Sequence, residues 1–386
     1  MYDVAVIGGG AAGLMAAFTA YNRGLNVVIY DPNRELGRKL RITGKGRCNV
    51  CNNCDIQTIM DNIPGDGRFL YSALNRFGPQ DVISFFQSRG VELKTERGKR
   101  VFPVSDNAND IANALIIKDI PVIHQYKKEL KGAKAYIIAT GGCSYPLTGS
   151  NGNGYDLAKS IGHTIIEPQA SLVPLVCDDW FCSELMGFAP KNVVFRLFRN
   201  EKLVYKEFGE MLFTHFGISG PLVLTASAHM RDLSDYRAEI DFKPALDDVV
   251  LDKRILRDFS ENPNKNIVNV LPKLVGKSFA PVLLKVCGIQ NKPCNEITHE
   301  ERIIIRSVLK SFPINIVGKR PISEAIITAG GVDTREVNPR TMQSKFDDRV
   351  YFAGEILNLD AYTGGFNLQI AWSTGFVAGE EVLCSV

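Results

Sequence analysis

Residues 3–7 (DVAVI) form a short apolar, β-branched run of the kind seen in strands buried on both faces. A hexad of small residues follows, Gly8-Gly9-Gly10-Ala11-Ala12-Gly13, and residues 14–23 then carry a helical pattern that Gly24 stops. A second apolar run, residues 26–30 (NVVIY), ends at Asp31. The strand signature returns at residues 135–139 (AYIIA), leading into Thr140-Gly141-Gly142, and at residues 350–353 (VYFA), leading into Gly354-Glu355. Gly364-Gly365-Phe366-Asn367 then opens a last helix running to about Val382. Between these pieces, residues 171–176, 192–199, 202–207 and 238–242 alternate or run apolar at strand length and predict a small antiparallel β unit. From residue 246 to 312 the pattern turns helical, punctuated by Pro263, Pro272, Pro281 and Pro293. Thr298 and Glu301 form a capping box ahead of an apolar helix at residues 303–309. The order predicts an α/β fold with a discontinuous parallel-sheet domain, residues 1–167 and 321–386. Its insert, residues 168–320, divides into a β part to about residue 245 and a helical part from 246 onward.

Composition narrows the class. The chain has 386 residues, 45% of them hydrophobic and 23% charged, enough for a sizeable core in two or three domains without disulfides. Basic residues number 45 against 42 acidic, and no long run of one sign occurs, so neither a nucleic-acid nor a membrane partner is expected. No stretch approaches the roughly 18 apolar residues of a spanning helix. The opening MYDVAVIGGG has no basic segment before its apolar run, so no signal peptide is expected. A cytoplasmic location and nine free thiols are the matching expectations. The expected partner is a small-molecule substrate, and the oligomeric state stays open.

The hexad carries the chemistry because of where it sits: strand, glycine turn, helix, strand, acid. Gly8 permits the tight turn, Gly10 lets the backbone approach a pyrophosphate, and Gly13 lets helix and strand pack closely. The helix that starts at Ala11 and Ala12 offers unpaired N–H groups and a positive dipole end to phosphate. Asp31 lies 23 residues after Gly8 and suits the unphosphorylated ribose of FAD or NAD. Thr140, Gly141, Gly354 and Glu355 decide between the two. A strand ending in glycine and an acid can bring a carboxylate to a ribityl hydroxyl. A helix opened by Gly364, Gly365, Phe366 and Asn367 can aim its dipole at the electron-rich end of a flavin. A nicotinamide dehydrogenase needs no cofactor-binding piece from the far end of the chain, so the constellation favours FAD. Taken singly, each of these segments also reads as an ordinary turn or cap of an α/β sheet.

Several long strings go further: GRKLRITGKGRCNV, ERGKRVFPVSDNA, IATGGCSYPLTGSNGNGY, GEMLFTHFGISGP, ITAGGVDTREVNPRTMQSK and YFAGEILNLDAYTGGFNLQIAWSTG. With them the chain resembles the NAD(P)/FAD-dependent oxidoreductase family that includes aminoacetone-oxidase-like and 3-dehydro-bile-acid Δ4,6-reductase-like flavoproteins. The resemblance implies a Rossmann-like FAD-binding domain interrupted by an insert with a β-barrel-like part and a helical part. It also implies that Arg38, Lys39, Thr43, Gly44, Gly46, Arg47, Cys48 and Asn49 form a loop over the flavin and its phosphates. Such a basic, glycine-rich segment offers backbone donors and guanidinium forks to phosphate. Family members carry a longer β-meander where this chain has residues 118–134, so adenine contacts from that segment do not carry over.

Candidate catalysts are fewer. The resemblance turns the string around His215 toward the flavin cleft, and an imidazole donates protons near neutral pH. Tyr362 is a second proton donor and Arg100 an anchor for an anionic substrate group; structural roles for all three stay open. Cys48, Cys51 and Cys54 read as a redox pair, as part of a metal or cluster site, or as loop thiols, and no metal site is assigned. His124, His163, His229 and His299 share no ligand spacing. The reaction expected is hydride transfer through flavin N5 to an activated C=C bond, an enone or steroid-like compound, with NAD(P)H as a possible electron donor. A peroxide-forming amine oxidase, a thiol–disulfide oxidoreductase and a non-catalytic flavin redox sensor are the alternatives.

Overall fold

A computed structural model describes residues 1–232 and 234–384, which fall into two compact units, Met1–Ser171 with Pro321–Val386, and Leu172–Arg320. The first unit is built on a five-stranded parallel sheet, in the order Val350–Phe352, Ala133–Ile138, Tyr2–Ile7, Val27–Tyr30, Val122–Ile123. Its central strand is buried from Val4 to Ile7, with Val4 and Val6 at 0% and Ala5 at 1% exposure, so both of its faces are covered there. The fifth strand lies inside the shortened 118–134 segment. Val122 and Ile123 pair with Ile29 and Tyr30, so this edge is extended even without a long meander. Two-residue strands carry no periodicity, and the sequence pattern predicted none here.

Two helices meet over the sheet with almost no side chain between them. In the C-terminal helix, Phe366–Glu381, a Cβ on Gly375 would stand 2.4 Å from the Ala12 carbonyl oxygen. One on Gly379 would stand 2.6 Å from that of Ala16, on the Ala11–Asn22 helix. Trp372 is fully buried and donates from Nε1 to the Val50 carbonyl at 2.9 Å. This helix therefore buries nearly its whole circumference, and Gly365 in the left-handed region starts it.

The second unit holds a seven-stranded antiparallel sheet, in the order Lys202–Gly209, Val193–Arg199, Tyr236–Asp241, Phe312–Lys319, Leu175–Cys177, Gly217–Ser219, Leu212–Thr214. Phe312–Lys319 corrects the expectation that helices run to the end of the insert. Phe312, Ile314 and Ile316 are buried and alternate with exposed Pro313, Asn315 and Val317, the period of a strand with one covered face. Residues 171–176 are not one strand either. Ile165–Ser171 pairs with Ile327–Val332 in the first unit, the chain turns at Leu172 (φ +54°), and Leu175–Cys177 starts the second unit. The unit boundary accordingly lies after Ser171 rather than near Glu167. The helices include Asp248–Ser260, Phe279–Cys287 and His299–Lys310, the last with both bonds of the Thr298/Glu301 capping box.

His163 is buried in the first unit among Phe346 and Phe352, with Nε2 against the Ser344 hydroxyl at 2.7 Å. Burial lowers its pKa, and the nearby Glu336 carboxylate opposes that shift without cancelling it. The unfolded chain thus binds this proton more readily than the folded one. The stability held here is complete above about pH 6.5, the ordinary imidazole value, and drains away as pH falls from there toward the folded pKa. Melting temperatures between about pH 7.5 and 5.5 should fall more steeply in the wild type than in His163→Asn. Equal slopes would remove His163 from the acid response.

Candidate functional site

The parallel sheet of the first unit ends in an open cleft of about 1330 Å³, the solvent in its mouth included. Its floor is the glycine hexad. Gly8 has φ +103°, and a Cβ there would stand 2.4 Å from the Ala139 carbonyl oxygen. Gly10 is the N-cap of the Ala11–Asn22 helix, and the place its Cβ would take is empty to 4 Å. The first turn has no acidic residue and no side-chain cap. Its N–H groups lack intrahelical partners and face the space that Gly10 leaves open.

Asp31 organises this floor from the end of the next strand. Oδ2 accepts from the Gly9 N–H at 2.6 Å, while Oδ1 accepts from the Asn33 backbone and side-chain nitrogens at 2.8 and 2.9 Å. A carboxylate offers about four acceptor positions, so one remains for a ribose hydroxyl. Thr140 Oγ1 is buried on the cleft wall without a hydrogen-bond partner. The open cradle at Gly10, the spare acceptor of Asp31 and this unpartnered hydroxyl all fit a dinucleotide such as FAD.

Twelve of the residues expected from sequence line the cleft: Gly8, Gly10, Ala11, Ala12, Asp31, Arg38, Lys39, Thr43, Thr140, Gly141, Glu355 and Asn367. Lys39 and Glu355, expected to serve phosphate and ribityl groups separately, bind each other at 2.6 Å. Ser144 Oγ and the Thr328 N–H also donate to Glu355, at 2.7 and 2.9 Å, and the Lys39 ammonium reaches Ser144 Oγ at 2.6 Å. This half-buried network clamps the loop after Ile138 to the Ile327–Val332 strand.

The other expected residues take structural places, for physical reasons. Gly13 lies under the turn rather than on the cleft, since a Cβ there would stand 1.8 Å from the Gly8 oxygen. Arg38–Gly46 is a helix broken at Thr43, Gly44 and Lys45 rather than an open loop, and Gly44 and Gly46 supply its left-handed turns. Arg47 pairs with Glu96 and Asp106 and stacks 4.2 Å above Phe102, so its charge is already neutralised within the protein. Cys48 is fully buried, which pushes its thiol up to about 12; burial raises Cys51 and Cys54 as well. That opposes the thiolate a thiol–disulfide exchange requires. Asn49 bridges the Cys51 carbonyl and the Gly365 N–H, and Asn52 donates to the Gly364 carbonyl. The Gly364–Gly365 turn is therefore fastened to the Cys51–Asn52 strand, with Phe366 in the core, and does not line the cleft. Gly354 (φ +77°) brings its strand end against Ala12, and its N–H donates to Thr374.

Among the proposed catalysts, Arg100 is exposed and donates from Nε to the Arg97 carbonyl, away from the cleft lining. Tyr362 does not line the cleft, and its N–H donates to the Asn62 carbonyl. His215 belongs to the second unit, exposed at the tip of the hairpin formed by Leu212–Thr214 and Gly217–Ser219, edge-on to Phe216.

The sequence reading missed the wall beside Asp31. Gln125, Tyr126 and Lys127, from the shortened segment, line the cleft. The Lys127 ammonium stands 4.4 Å above the Tyr30 ring, and Tyr126 accepts a hydrogen bond from Asn151 at 2.9 Å. The density of Gly and Asn in residues 149–154 was the available signal, since a Cβ on Gly149 would stand 2.6 Å from the Asn33 side-chain nitrogen. Exposed cation–π pairs contribute about 0.5–1 kcal/mol, so Lys127→Ala should weaken FAD binding by about two- to fivefold. Titration of the apoprotein with FAD measures this directly.

A parallel sheet with a glycine cradle, an acid at the end of the second strand and a C-terminal helix packed on the first is the frame of an FAD-binding oxidoreductase. The chain belongs to the HI0933-like family: the HI0933-like protein Rossmann domain matches residues 2–123 and 117–381. It is 29% identical to the 3-dehydro-bile acid delta(4,6)-reductase of Clostridium scindens over 409 aligned positions, covering 98% of each chain. It is 27% identical to the ribosomal RNA dihydrouridine synthase of Escherichia coli, covering 100% of this chain and 98% of that one. Among solved structures, the 3-ketosteroid delta1-dehydrogenase of Sterolibacterium denitrificans shares the fold at a TM-score of 0.51 and 13% identity, over 99% of both chains. No single helix among the described residues is long and apolar enough to cross a membrane.

Proposed function

We propose that the protein is an FAD-dependent reductase that saturates a carbon–carbon double bond conjugated to a carbonyl group. The observation that carries this is the dinucleotide cleft in a chain aligned end to end with two relatives named for such bonds. A 3-dehydro Δ4,6 compound holds its double bonds in conjugation with a ketone. Dihydrouridine is uridine whose double bond, conjugated to a ring carbonyl, has been saturated. Bound FAD supplies the hydride in such chemistry. The chain's own residues bind and place: the N–H groups at Ala11 and Ala12 take the diphosphate, Asp31 the ribose, and Thr140 Oγ1 a polar group of the cofactor. Replacing His215 and Tyr362 one at a time tests these two sequence candidates for the proton donor without assigning either to the cleft. NADH or NADPH is the proposed electron source, entering the same cleft, because the chain has no second glycine-rich βαβ fingerprint.

A small enone or steroid-like substrate is the first reading, in keeping with a net charge of only +3. The Escherichia coli relative favours a second reading, a uridine within structured RNA. The test is an anaerobic titration of the FAD-loaded protein with NADH and NADPH, read at the flavin band near about 450 nm. Steroid dienones and a ribosomal RNA transcript are then offered for reoxidation. Bleaching followed by dienone-dependent recovery supports the first reading, and recovery with uridine gaining two hydrogens supports the second. If neither nucleotide bleaches the flavin, but an amine does and oxygen then yields peroxide, the reductase assignment fails in favour of an oxidase. A flavin that changes assembly on reduction and turns over nothing would instead mark a sensor.

A further inference from the structure

Outside the cleft, the second unit gathers two thiols and a carboxylate at one point. Cys177 ends the Leu175–Cys177 strand, Asp179 follows two residues later, and Cys182 is the second residue of the Phe181–Glu184 turn of helix. The Cys182 N–H donates to the Asp179 carbonyl, which closes the chain on itself. The two sulfurs and a carboxylate oxygen of Asp179 all lie within 4.8 Å of one another. Cys177 and Cys182 are 9% and 2% exposed, are not joined by a disulfide, and play no part in the proposed reaction.

We propose that Cys177, Asp179 and Cys182 form a binding site for a thiophilic divalent cation of the zinc class. Tetrahedral zinc, with bonds of about 2.3 Å to sulfur and 2.0–2.2 Å to oxygen, separates its ligand atoms by about 3.5–3.8 Å. An inward movement of roughly 1 Å closes the present cluster onto such an ion. Two sulfur ligands select zinc-like cations over magnesium or calcium. The carboxylate is already aimed: Asp179 Oδ2 accepts from the Asn315 N–H at 2.7 Å, and neighbouring Asp178 accepts from the Asn315 side chain at 2.6 Å. Such outer bonds orient the ligating atom, and here they come from the Phe312–Lys319 strand. Asp179 is half-buried, so the ion has a way in and water can fill the fourth position. On binding, each thiol that ligates gives up its proton to solvent, and no electron moves. The ion would tie the first strand of the unit to its own helical turn.

The test uses the FAD-loaded protein, purified anaerobically and freed of metal, titrated with Co²⁺ alone and separately assayed for bound zinc. One zinc per chain is expected, together with the intense visible and thiolate charge-transfer bands of tetrahedral, sulfur-bound Co²⁺. Cys177→Ala/Cys182→Ala should lose both signals. Asp179→Asn keeps both thiols and should weaken Co²⁺ binding about tenfold or more, with the flavin spectrum and melting profile of the metal-free protein unchanged. Cys54→Ala should keep the bands. Absence of the bands, their survival in the double alanine variant, or their loss with Cys54 would overturn the site. So would an anaerobic protein whose mass is two hydrogens low, with Cys177 and Cys182 joined as a disulfide.

Discussion

Gly13→Ala should destabilise the protein with or without flavin, whereas Gly10→Ala should leave the fold intact and release the flavin. At Gly13 the added carbon would stand 1.8 Å from the Gly8 oxygen, 3.0 Å from its carbonyl carbon and 3.3 Å from Val6 Cγ1. Two of those atoms are backbone in the turn between the first strand and its helix, so no rotamer change relieves the clash. Overpacking against backbone costs about 3 kcal/mol or more, a fall in melting temperature of about 6–12 °C for a domain of this size. At Gly10 the position is open to 4 Å and the backbone (φ −82°, ψ −169°) is one alanine adopts freely. The methyl would occupy the space a diphosphate needs against the helix N-terminus. A penalty of about 2 kcal/mol, or about thirtyfold in FAD affinity, is expected from that displacement. Gly65, also open to 4 Å, is the control whose alanine variant should shift stability by no more than about 0.5 kcal/mol. Melts of the apoproteins and FAD titrations separate the effects. A Gly10→Ala protein that binds FAD normally would show that the cradle is a turn and nothing more.

The ease with which this floor was read from sequence has a physical origin. Strand, glycine turn, helix and acid lie within the first 31 residues, and each residue type is demanded by its own backbone conformation or by a neighbour a few residues away. What was misread depends on distant partners. Arg47 looks like a phosphate ligand until Glu96 and Asp106 fold back on it from 49 and 59 residues away. Lys39 and Glu355 do line the cleft, but 316 residues separate two groups that meet at 2.6 Å, and no local pattern announced that pairing. Phe312–Lys319 alternates clearly, but it follows directly on the His299–Lys310 helix, and its hydrogen-bond neighbours are Tyr236–Asp241 and Leu175–Cys177. The Gln125–Lys127 wall had no local signal beyond two strand residues. Only the parallel pairing of Val122 and Ile123 with Ile29 and Tyr30 brings it beside Asp31.

Asp31 is where these levels meet, and Asp31→Ala should have the largest effect on flavin binding of any side-chain truncation in the cleft. Its carboxylate is 8% exposed and accepts three hydrogen bonds, one from the glycine turn and two from Asn33, with one acceptor position left for ribose. Truncation removes the ribose contact and also strands the Gly9 N–H, which then faces a cavity. Losing a hydrogen bond to a charged group costs about 1.5–3 kcal/mol, and an unsatisfied buried donor costs about 1–3 kcal/mol. The first cost falls on binding and predicts a loss of FAD affinity of about ten- to hundredfold, so the purified variant should emerge with much of its colour lost; the second is present with or without flavin and lowers the stability of the fold. Asp31→Asn isolates the parts. It keeps the size and one acceptor oxygen, so it can still hold Asn33 or Gly9 but not both together with a ribose hydroxyl. An affinity between wild type and alanine is expected, with the apoprotein melting about 2–4 °C or more below wild type, because one internal donor loses its acceptor. FAD titration of the three apoproteins, with far-ultraviolet circular dichroism as the folding control, decides the matter. If Asp31→Ala is folded and retains a full complement of flavin, the carboxylate serves only the glycine turn and the ribose is held elsewhere.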